Sequence, residues 1–401
     1  MTLDPDKLYG LLFFVEDIQR EVCFQRKRSL SHHQLFILKT AFKDQTKMSM
    51  KRGAHDQVAL FQGNNTKRSR NELVEAGIKT IQSLGPERTS SLTSPIMQLT
   101  GHEGEVYSCC FHPKGECIAS GGYDRQLYLW NTYGECENLA ALHGHKSAIL
   151  DVEFSSDGSL VFTASADKTI NVWDFETCVR LKKLKGHGSV VNACAAAKGS
   201  DDPREPNLLC SVSDDCTLKL WDMRTKKEVG SFKDTYQLLS CTFNESSNQV
   251  IFGGIENVVK VFDLRGNNIS MELVAHMDSV TGLSLSPDGS HVLSNSMDNT
   301  LCIWDIRPFA PKDRCVKTLH GHQHNFEKHL LRCSWSPDGN RVTAGSADRH
   351  VYIWDVPTKR ILYKLPGHHG SVNQVVFHPK EPIILSCSSD KSLFLGEIEL
   401  A

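Results

Sequence analysis

The sequence lacks the marks of several large classes of protein. It has 14 cysteines but no Cys-x-x-Cys pair, so we expect reduced, mostly buried thiols in an intracellular protein. The apolar run from Leu8 to Val15 is too short to span a membrane, and it lacks a signal-peptide cleavage site. There is no Gly-rich phosphate loop and no Gly-x-Ser-x-Gly motif. We therefore expect no enzymatic activity and no cofactor.

The chain as a whole also lacks a large net charge, but its N-terminal part and the rest of the chain differ in net charge. The formal net charge of the 401 residues is −2. Residues 1–94 carry 15 Lys and Arg against 10 Asp and Glu, whereas residues 95–401 carry 30 against 37, a net charge of −7. Because an acidic body is a poor partner for a phosphate backbone, RNA contact is expected to be indirect or minor.

The first 94 residues show no repeat, and we predict a disordered N-terminal tail. Residues 1–47 are interpreted as an extension of doubtful origin, mostly unstructured, because Met48 or Met50 offers an alternative start. Residues 48–94 are polar, aperiodic and mildly basic, which is typical of disorder. Their cluster from Lys67 to Arg70 is either a nuclear import signal or phosphate contact, or a solvated run of charge.

From residue 95 onward, one unit of about forty residues recurs. Its clearest copy runs from Gly144 to Asp174. It opens with Gly-His, alternates apolar and polar residues, turns at Ser-Asp-Gly, alternates again, turns at Asp-Lys and closes with Trp-Asp. Such a period with four short strands per unit is the mark of a WD-repeat β-propeller. Seven copies predict an all-β fold, a seven-bladed WD-repeat propeller over residues 95–401.

Two repeats depart from the unit. Repeat four lacks Gly-His, has Glu256 at the turn and closes with Phe262-Asp263. The sequence ends just after the predicted third strand of repeat seven. We predict that Ile96 to Leu99 supplies its outer strand, and that this pairing closes the ring.

Several repeats combine a histidine, a serine, an aspartate and a tryptophan. In repeat two these are His145, Ser165, Asp167 and Trp173, a composition that also occurs in hydrolase triads. Because the set recurs, whereas an active site occurs once, we predict hydrogen-bonded structural tetrads, with a partial set in repeat one. The matching residues of repeats three, five and six are His187, Asp215, Trp221, His276, Asp298, Trp304, His322, Asp348 and Trp354.

Insertions mark three places where the repeats differ in length. They are Asn325 to His329, Arg307 to Cys315 and Lys198 to Pro206. Loops on a rigid scaffold are frequent binding sites, although tolerated surface loops explain the insertions equally well. The histidines near the first insertion have no cysteine or carboxylate at ligand spacing, so a polar loop is favoured over a metal site.

Two positions per blade are expected to form the rim of the central channel on the Gly-His side. One lies five residues after the histidine, and the other immediately precedes the turn acid. Apolar and aromatic residues there favour a protein interface over a nucleic-acid interface, although they would also suit a simple channel lining. The predicted protein-binding residues are Tyr107, Tyr123, Leu150, Leu239, Ile255, Met297 and Leu331, with Asn325 and Phe326 of the adjacent insertion.

Some segments go beyond the generic repeat. They include Pro95 to Met97, Trp304 to Pro311, His324 to Lys328 and Arg360 to His368. In these segments the chain resembles the family of WD-repeat subunits of the spliceosomal U5 small nuclear ribonucleoprotein. The resemblance implies a nuclear, non-enzymatic scaffold in pre-mRNA splicing, a monomeric subunit of a large complex without membrane contact. It also implies binding to the large U5 scaffold protein, pre-mRNA-processing factor eight, with the U5 helicase and GTPase as neighbours.

A different class of function stays open as the alternative. Trp221 to Arg224, Phe262 to Arg265 and Trp304 to Arg307 resemble the WDxR box of substrate receptors of cullin-ring ubiquitin ligases. The box is short and frequent among propellers, so this alternative ranks second.

Overall fold

The computed structural model describes residues 90–198, 208–224, 227–311 and 313–398. Within these ranges the chain forms seven antiparallel sheets of four strands each, which confirms the predicted all-β, seven-bladed propeller. No helix in these ranges has the length and apolar character needed to cross a membrane. The predictions for residues 1–89, including both tail segments and the basic cluster, lie outside the described residues.

Each blade runs outward from the central channel in strand order, and the first strand of the chain belongs to the last blade. Strand β1 is Ile96–Thr100. Blade one contains β2 (Val106–Phe111), β3 (Cys117–Gly122), β4 (Gln126–Asn131) and β5 (Asn138–His143). Blade two contains β6 (Ile149–Phe154), β7 (Leu160–Ser165), β8 (Thr169–Asp174) and β9 (Arg180–Lys185). Blade three contains β10 (Val191–Ala196), β11 (Leu208–Ser213), β12 (Thr217–Asp222) and β13 (Glu228–Lys233).

The remaining blades follow the same order. Blade four contains β14 (Leu238–Phe243), β15 (Gln249–Gly254), β16 (Val258–Asp263) and β17 (Asn268–Val274). Blade five contains β18 (Val280–Leu285), β19 (His291–Ser296), β20 (Thr300–Asp305) and β21 (Cys315–His320). Blade six contains β22 (Cys333–Trp335), β23 (Arg341–Ala344), β24 (Val351–Asp355) and β25 (Ile361–Leu365). Blade seven contains β26 (Val372–Phe377), β27 (Ile383–Ser388), β28 (Ser392–Glu397) and β1.

The Asp of each repeat shapes the turn between the second and third strands. In all seven blades the residue after the turn acid has a positive φ, between 59° and 70°. The aspartate side chain accepts the backbone N–H two residues further on, as Asp215 does from Thr217 at 2.9 Å. This Asx geometry explains why the repeat keeps an aspartate here. Blade four has Glu256 instead, and its carboxylate contacts Lys260.

The hydrophobic core is divided into layers between neighbouring blades. Between blades one and two, Leu127 and Leu129 pack with Ile149, Val152 and Trp173 of the next blade. The closing tryptophan of a blade therefore fills the space toward the preceding blade. Because each sheet buries both faces only when it is stacked between neighbours, the blades depend on a complete ring.

Ring closure follows the prediction in detail. Strand β1 pairs antiparallel with β28, from Ile96 opposite Gly396 to Thr100 opposite Ser392. Leu99 is buried in the core of blades seven and one. Leu92 lies in the same core, which places residues 90–94 in the propeller instead of the tail.

A single arginine connects opposite parts of the ring. Arg332 enters from blade six, and its guanidinium lies 3.3 Å from the Asp151 carboxylate of blade two. It also donates to the backbone carbonyl of Asn192 in blade three at 2.9 Å. Asp151 is buried and accepts the Cys194 N–H at 2.9 Å. The channel is thus crossed by a buried ion pair that joins three blades.

Candidate protein-binding face

The histidine loops and the turns that follow the second strands meet on one face of the ring, here called the Gly-His face. Backbone bonds join the two loops of each blade: Tyr123 N–H donates to the Glu105 carbonyl at 2.8 Å, and Met297 N–H donates to the Ser279 carbonyl at 2.9 Å. The predicted protein-binding residues lie in these loops or at the adjoining strand ends. The predicted tetrad residues belong to the same blades.

Complete tetrads of histidine, serine, aspartate and tryptophan lie beneath this face in blades three and five, as predicted, and also in blade one, where only a partial set was expected. In blade three, His187 Nδ1 lies 3.0 Å from Asp215 Oδ2, and its Nε2 lies 2.8 Å from Ser211 Oγ. The Trp221 indole N–H donates to the same hydroxyl at 2.8 Å. Blades one and five carry complete sets of the same kind: His102, Ser120, Asp124, Trp130, His276, Ser294, Asp298 and Trp304.

In blade two the predicted serine was wrong. The hydroxyl between His145 and Trp173 belongs to Thr163, at 2.8 Å from His145 Nε2 and 3.0 Å from the indole nitrogen. Ser165 stands two residues nearer the turn. It donates to the Ala148 carbonyl at 2.8 Å and accepts the N–H of Asp167 at 3.1 Å. Depth along the strand decides the role, because only the residue four before the aspartate lies level with the indole.

The predicted tetrad of blade six was also wrong. His322 turns to Asn295 of blade five, whose side-chain oxygen lies 2.8 Å from its Nε2. Asp348 instead accepts the hydroxyl of Tyr352 at 2.6 Å. The Trp354 indole N–H donates to a backbone carbonyl, not to a hydroxyl. The insertion after His322 lengthens this loop, and the tyrosine hydroxyl occupies the hydrogen-bonding position that the histidine has elsewhere.

The electrostatics of the tetrads are those of structural groups. Burial raises the pKa of the Asp215 carboxyl, but hydrogen bonds from Thr217, the Gly188 N–H and His187 outweigh it and lower the pKa to about 2. Burial lowers the pKa of His187. An ionised aspartate that holds a neutral, buried imidazole is suited to satisfying polar groups and not to proton transfer at the surface.

The predicted rim residues differ in their exposure to solvent. Tyr123 is 62% exposed and Ile255 is 45% exposed. Tyr107, Leu150 and Met297 are half-buried.

Leu239 and Leu331 are buried, so they do not form a binding surface. Leu239 occupies the bulge that begins β14, and Leu331 lies two residues before β22. At such a bulge the backbone turns the side chain toward the next blade. The bulge residues Thr281 and Asn373 show the same direction, because they donate to the backbone carbonyls of Leu331 and Val106 in the following blades.

Two exposed apolar residues on this face were missed. Met277 is 88% exposed and directly follows His276, and Tyr236 is exposed in the loop that enters blade four. Both stand where repeats four and five depart from the Gly-His sequence. That departure from the repeat is visible in the sequence and could have indicated these two residues.

Four exposed apolar residues and the half-buried Met297 lie on the Gly-His face of blades four to six. Asn257 of blade four donates to the His276 carbonyl at 3.2 Å, and the His324 N–H of blade six donates to Asn299 of blade five at 2.6 Å. These bonds bring the loops of the three blades together. We call this set of residues the apolar arc, defined by Tyr236, Ile255, Met277, Met297 and Phe326.

The insertion of blade six ends the arc. Phe326 is 94% exposed at the tip of a turn in which the Lys328 N–H donates to the Asn325 carbonyl at 3.2 Å. Glu327 accepts a bond from the Asn325 amide and lies 3.0 Å from His329 Nε2. The turn is therefore ordered by its own side chains, while its aromatic ring faces solvent.

Comparison with known proteins agrees with the repeats. The family described as WD domain, G-beta repeat matches residues 93–131, 136–174, 178–222, 267–305, 313–355 and 359–395. Within the propeller, the unmatched residues 223–266 contain the first three strands of blade four, where the histidine, the aspartate and the tryptophan of the repeat are all replaced.

More specific relatives extend over most of the chain. The U5 small nuclear ribonucleoprotein 40 kDa protein of Mus musculus is 59% identical over 315 residues, which cover 79% of this chain and 87% of the relative. The protein of the same name from Dictyostelium discoideum is 48% identical over 359 residues, which cover 88% of this chain and 100% of the relative. Pre-mRNA-splicing factor cwf17 of Schizosaccharomyces pombe is 44% identical over 312 residues, which cover 78% and 90%.

The chain belongs to the family of the U5 small nuclear ribonucleoprotein 40 kDa protein. This U5 40 kDa family is a non-enzymatic family of WD-repeat scaffolds, which confirms the resemblance and the expectation that the chain is not an enzyme.

The WDxR segments of this U5 40 kDa family member lie on the face opposite the Gly-His face. Asp305 accepts hydrogen bonds from both the side chain and the backbone N–H of Arg307, and Asp222 does the same with Arg224. In blade four, Asp263 accepts the backbone N–H of Arg265. The boxes therefore act as turn-forming units after the third strands, which explains their recurrence without a partner.

Proposed function

We propose that this chain is a nuclear, non-enzymatic subunit of the U5 small nuclear ribonucleoprotein, and that it acts in pre-mRNA splicing by docking the large U5 scaffold protein, pre-mRNA-processing factor eight. The U5 helicase and GTPase are its neighbours in that particle. Membership in the U5 40 kDa family supports the assignment of this chain to the U5 particle. The apolar arc on the Gly-His face is the observation that supports docking through this face.

The arc has the composition of a protein interface. Met277 and Phe326 present almost their whole side chains to solvent, and Ile255 nearly half. Aromatic residues and methionine are enriched in the buried centres of protein interfaces, where they provide anchors. A nucleic-acid interface would instead need rows of Lys and Arg along the face. The arc therefore favours a protein partner.

Tyr123 provides a second contact region on blade one. Its ring is largely exposed, and the neighbouring Tyr107 is held by a 3.0 Å bond from its hydroxyl to Glu105 Oε2. Blade one and blades four to six lie at different sectors of the ring. A long extended segment of a large scaffold protein is suited to reach both regions across the channel mouth.

Phe326 and Phe309 provide a matched pair for the test. Both rings are almost completely exposed, but Phe326 lies on the Gly-His face and Phe309 lies in the loop after β20 on the opposite face. We expect Phe326→Ser, combined with Met277→Ser, to reduce capture of the large scaffold protein about tenfold or more, because two anchors are lost. The measurement is pull-down of the purified scaffold protein with the tagged full chain.

Phe309→Ser is the control, and it should bind like the wild-type chain. All variants should keep the wild-type melting temperature, because the replaced side chains contribute little to the core. Equal loss of capture in the Phe309 variant, or no loss in the Phe326 and Met277 variant, would move the interface away from the Gly-His face.

A further inference from the structure

One register position on the outer strand fills the space between neighbouring blades. In blade two it is Lys182, opposite Val172, and its ammonium group donates to the Met223 carbonyl of blade three. In blade five it is Lys317, whose ammonium group donates to the Val356 carbonyl of blade six at 2.6 Å. Blades one, four, six and seven place apolar side chains at this position, and each packs against an inter-blade core: Ala140, Met271, Tyr363 and Met97.

Blade three has no side chain there. The position is Gly230, opposite Leu220, and the adjoining blade four closes with Phe262 where five other blades have tryptophan. The two reductions in size occur on opposite sides of the same inter-blade space. The result is a groove of about 510 Å³ that opens to solvent on the side of the ring. Its apolar lining consists of Leu208, Leu218, Leu220, Val229, Phe232, Phe262 and Leu264.

The groove lies beside a strand edge. Strand β13 is the outermost strand of blade three, and among the described strands it pairs only with β12. An extended segment added to this edge would place the side chain opposite Gly230 on the same face of the sheet, directly above the groove. A Cβ atom at Gly230 meets only Leu220, at 3.4 Å, so there is room for this approach.

The charges around the groove leave an excess lysine at its edge. Arg224 pairs with Asp222, and Lys219 of β12 pairs with Glu228, so these charges offset each other. Lys233 is exposed at the end of β13. This balance favours a partner with acidic residues.

We propose that the groove between blades three and four is a second protein-binding site, which accepts an extended, acidic segment of a partner protein as a fifth strand on β13, with one bulky apolar side chain inserted over Gly230. This site is separate from the Gly-His face and does not depend on the U5 assignment. The segment supplies the side chain that the six other blades supply from their own outer strands.

Gly230→Met is the deciding variant, because methionine occupies the same register position in blade four. It should fold and melt at or above the wild-type temperature, since it fills the groove. Random peptides displayed on phage are selected on the wild-type full chain, with Gly230→Met as the counter-selection target. We expect enrichment of peptides with a bulky apolar residue flanked by Asp or Glu. Their binding to Gly230→Met, measured by fluorescence anisotropy, should be at least about tenfold weaker.

The control is the Phe326→Ser variant, which should bind these peptides like the wild-type chain. Lys233→Glu should weaken the binding of these peptides several-fold. The proposal is overturned if the selection returns no peptide that distinguishes wild type from Gly230→Met, or if the distinguishing peptides are basic. It is also overturned if the wild-type chain alone forms dimers that Gly230→Met abolishes, because a second copy would then be the occupant.

Discussion

A chain that begins at Gly101 is expected to melt far below a chain that begins at Ser90. The shorter chain lacks β1, so the edge of β28 and the core between blades seven and one are left uncovered. The loss of Leu92 and Leu99 alone corresponds to about 3–6 kcal/mol, at roughly 1.5–3 kcal/mol for each fully buried leucine. Thermal denaturation of the two chains measures the difference.

Point variants in the full chain test whether the lost stability comes from the open ring and not from the shortening of the chain. Leu99→Ala in the full chain should lower the free energy of unfolding by about 2–5 kcal/mol, because it leaves a cavity in the closing core. Gln98→Ala, on the exposed side of the same strand, should have almost no effect. Equal melting temperatures for the chains that begin at Ser90 and Gly101 would show that β1 does not close the ring.

Arg332→Met is expected to have the largest effect of any single substitution that we consider. It removes the cation that faces the buried carboxylate of Asp151 and the donor to the Asn192 carbonyl. Removing one partner of a buried ion pair costs about 3–5 kcal/mol, because the other charge stays buried without compensation. Urea denaturation at neutral pH measures this loss.

The pH dependence of the variant identifies the cause. Burial raises the pKa of Asp151, and the Arg332 charge opposes that rise. Without the arginine the folded-state pKa rises further above its unfolded value. The penalty is then complete above the folded pKa, decreases as the pH falls below it, and is absent below the unfolded pKa. The deficit relative to wild type should therefore be larger at about pH 8 than at about pH 5.

Adding Asp151→Asn to Arg332→Met should restore part of the lost stability, since the buried carboxylate that faced the arginine is then removed. A deficit that does not change with pH, and that Asp151→Asn does not relieve, would mean that Arg332 acts through packing alone.

Sequence periodicity was sufficient to predict the ring and its closure, because each repeat carries its own turn and strand signals. It was not sufficient to assign the tetrads. Ser165 and Thr163 both have a hydroxyl on the same face of β7, and only the depth along the strand separates them. In blade six, the loop insertion redirects His322 to a neighbouring blade, which spacing within one repeat does not reveal.

Contacts between distant blades were the least predictable. Arg332 reaches Asp151 only because the ring brings blade six opposite blade two, and no sequence interval encodes that distance. The groove at Gly230 has the same origin. A glycine in one repeat and a phenylalanine in the next each look tolerable alone, and the groove arises only where the two meet.

We propose that this chain is a U5 subunit which docks the large scaffold protein. Affinity purification of the tagged full chain from nuclear extract, followed by mass spectrometry and RNA sequencing of the same eluate, tests both parts of this proposal. We predict that U5 RNA and the large scaffold protein co-purify with the chain, together with the U5 helicase and GTPase. A cullin adaptor in the eluate, with neither U5 RNA nor the large scaffold protein, would contradict the account.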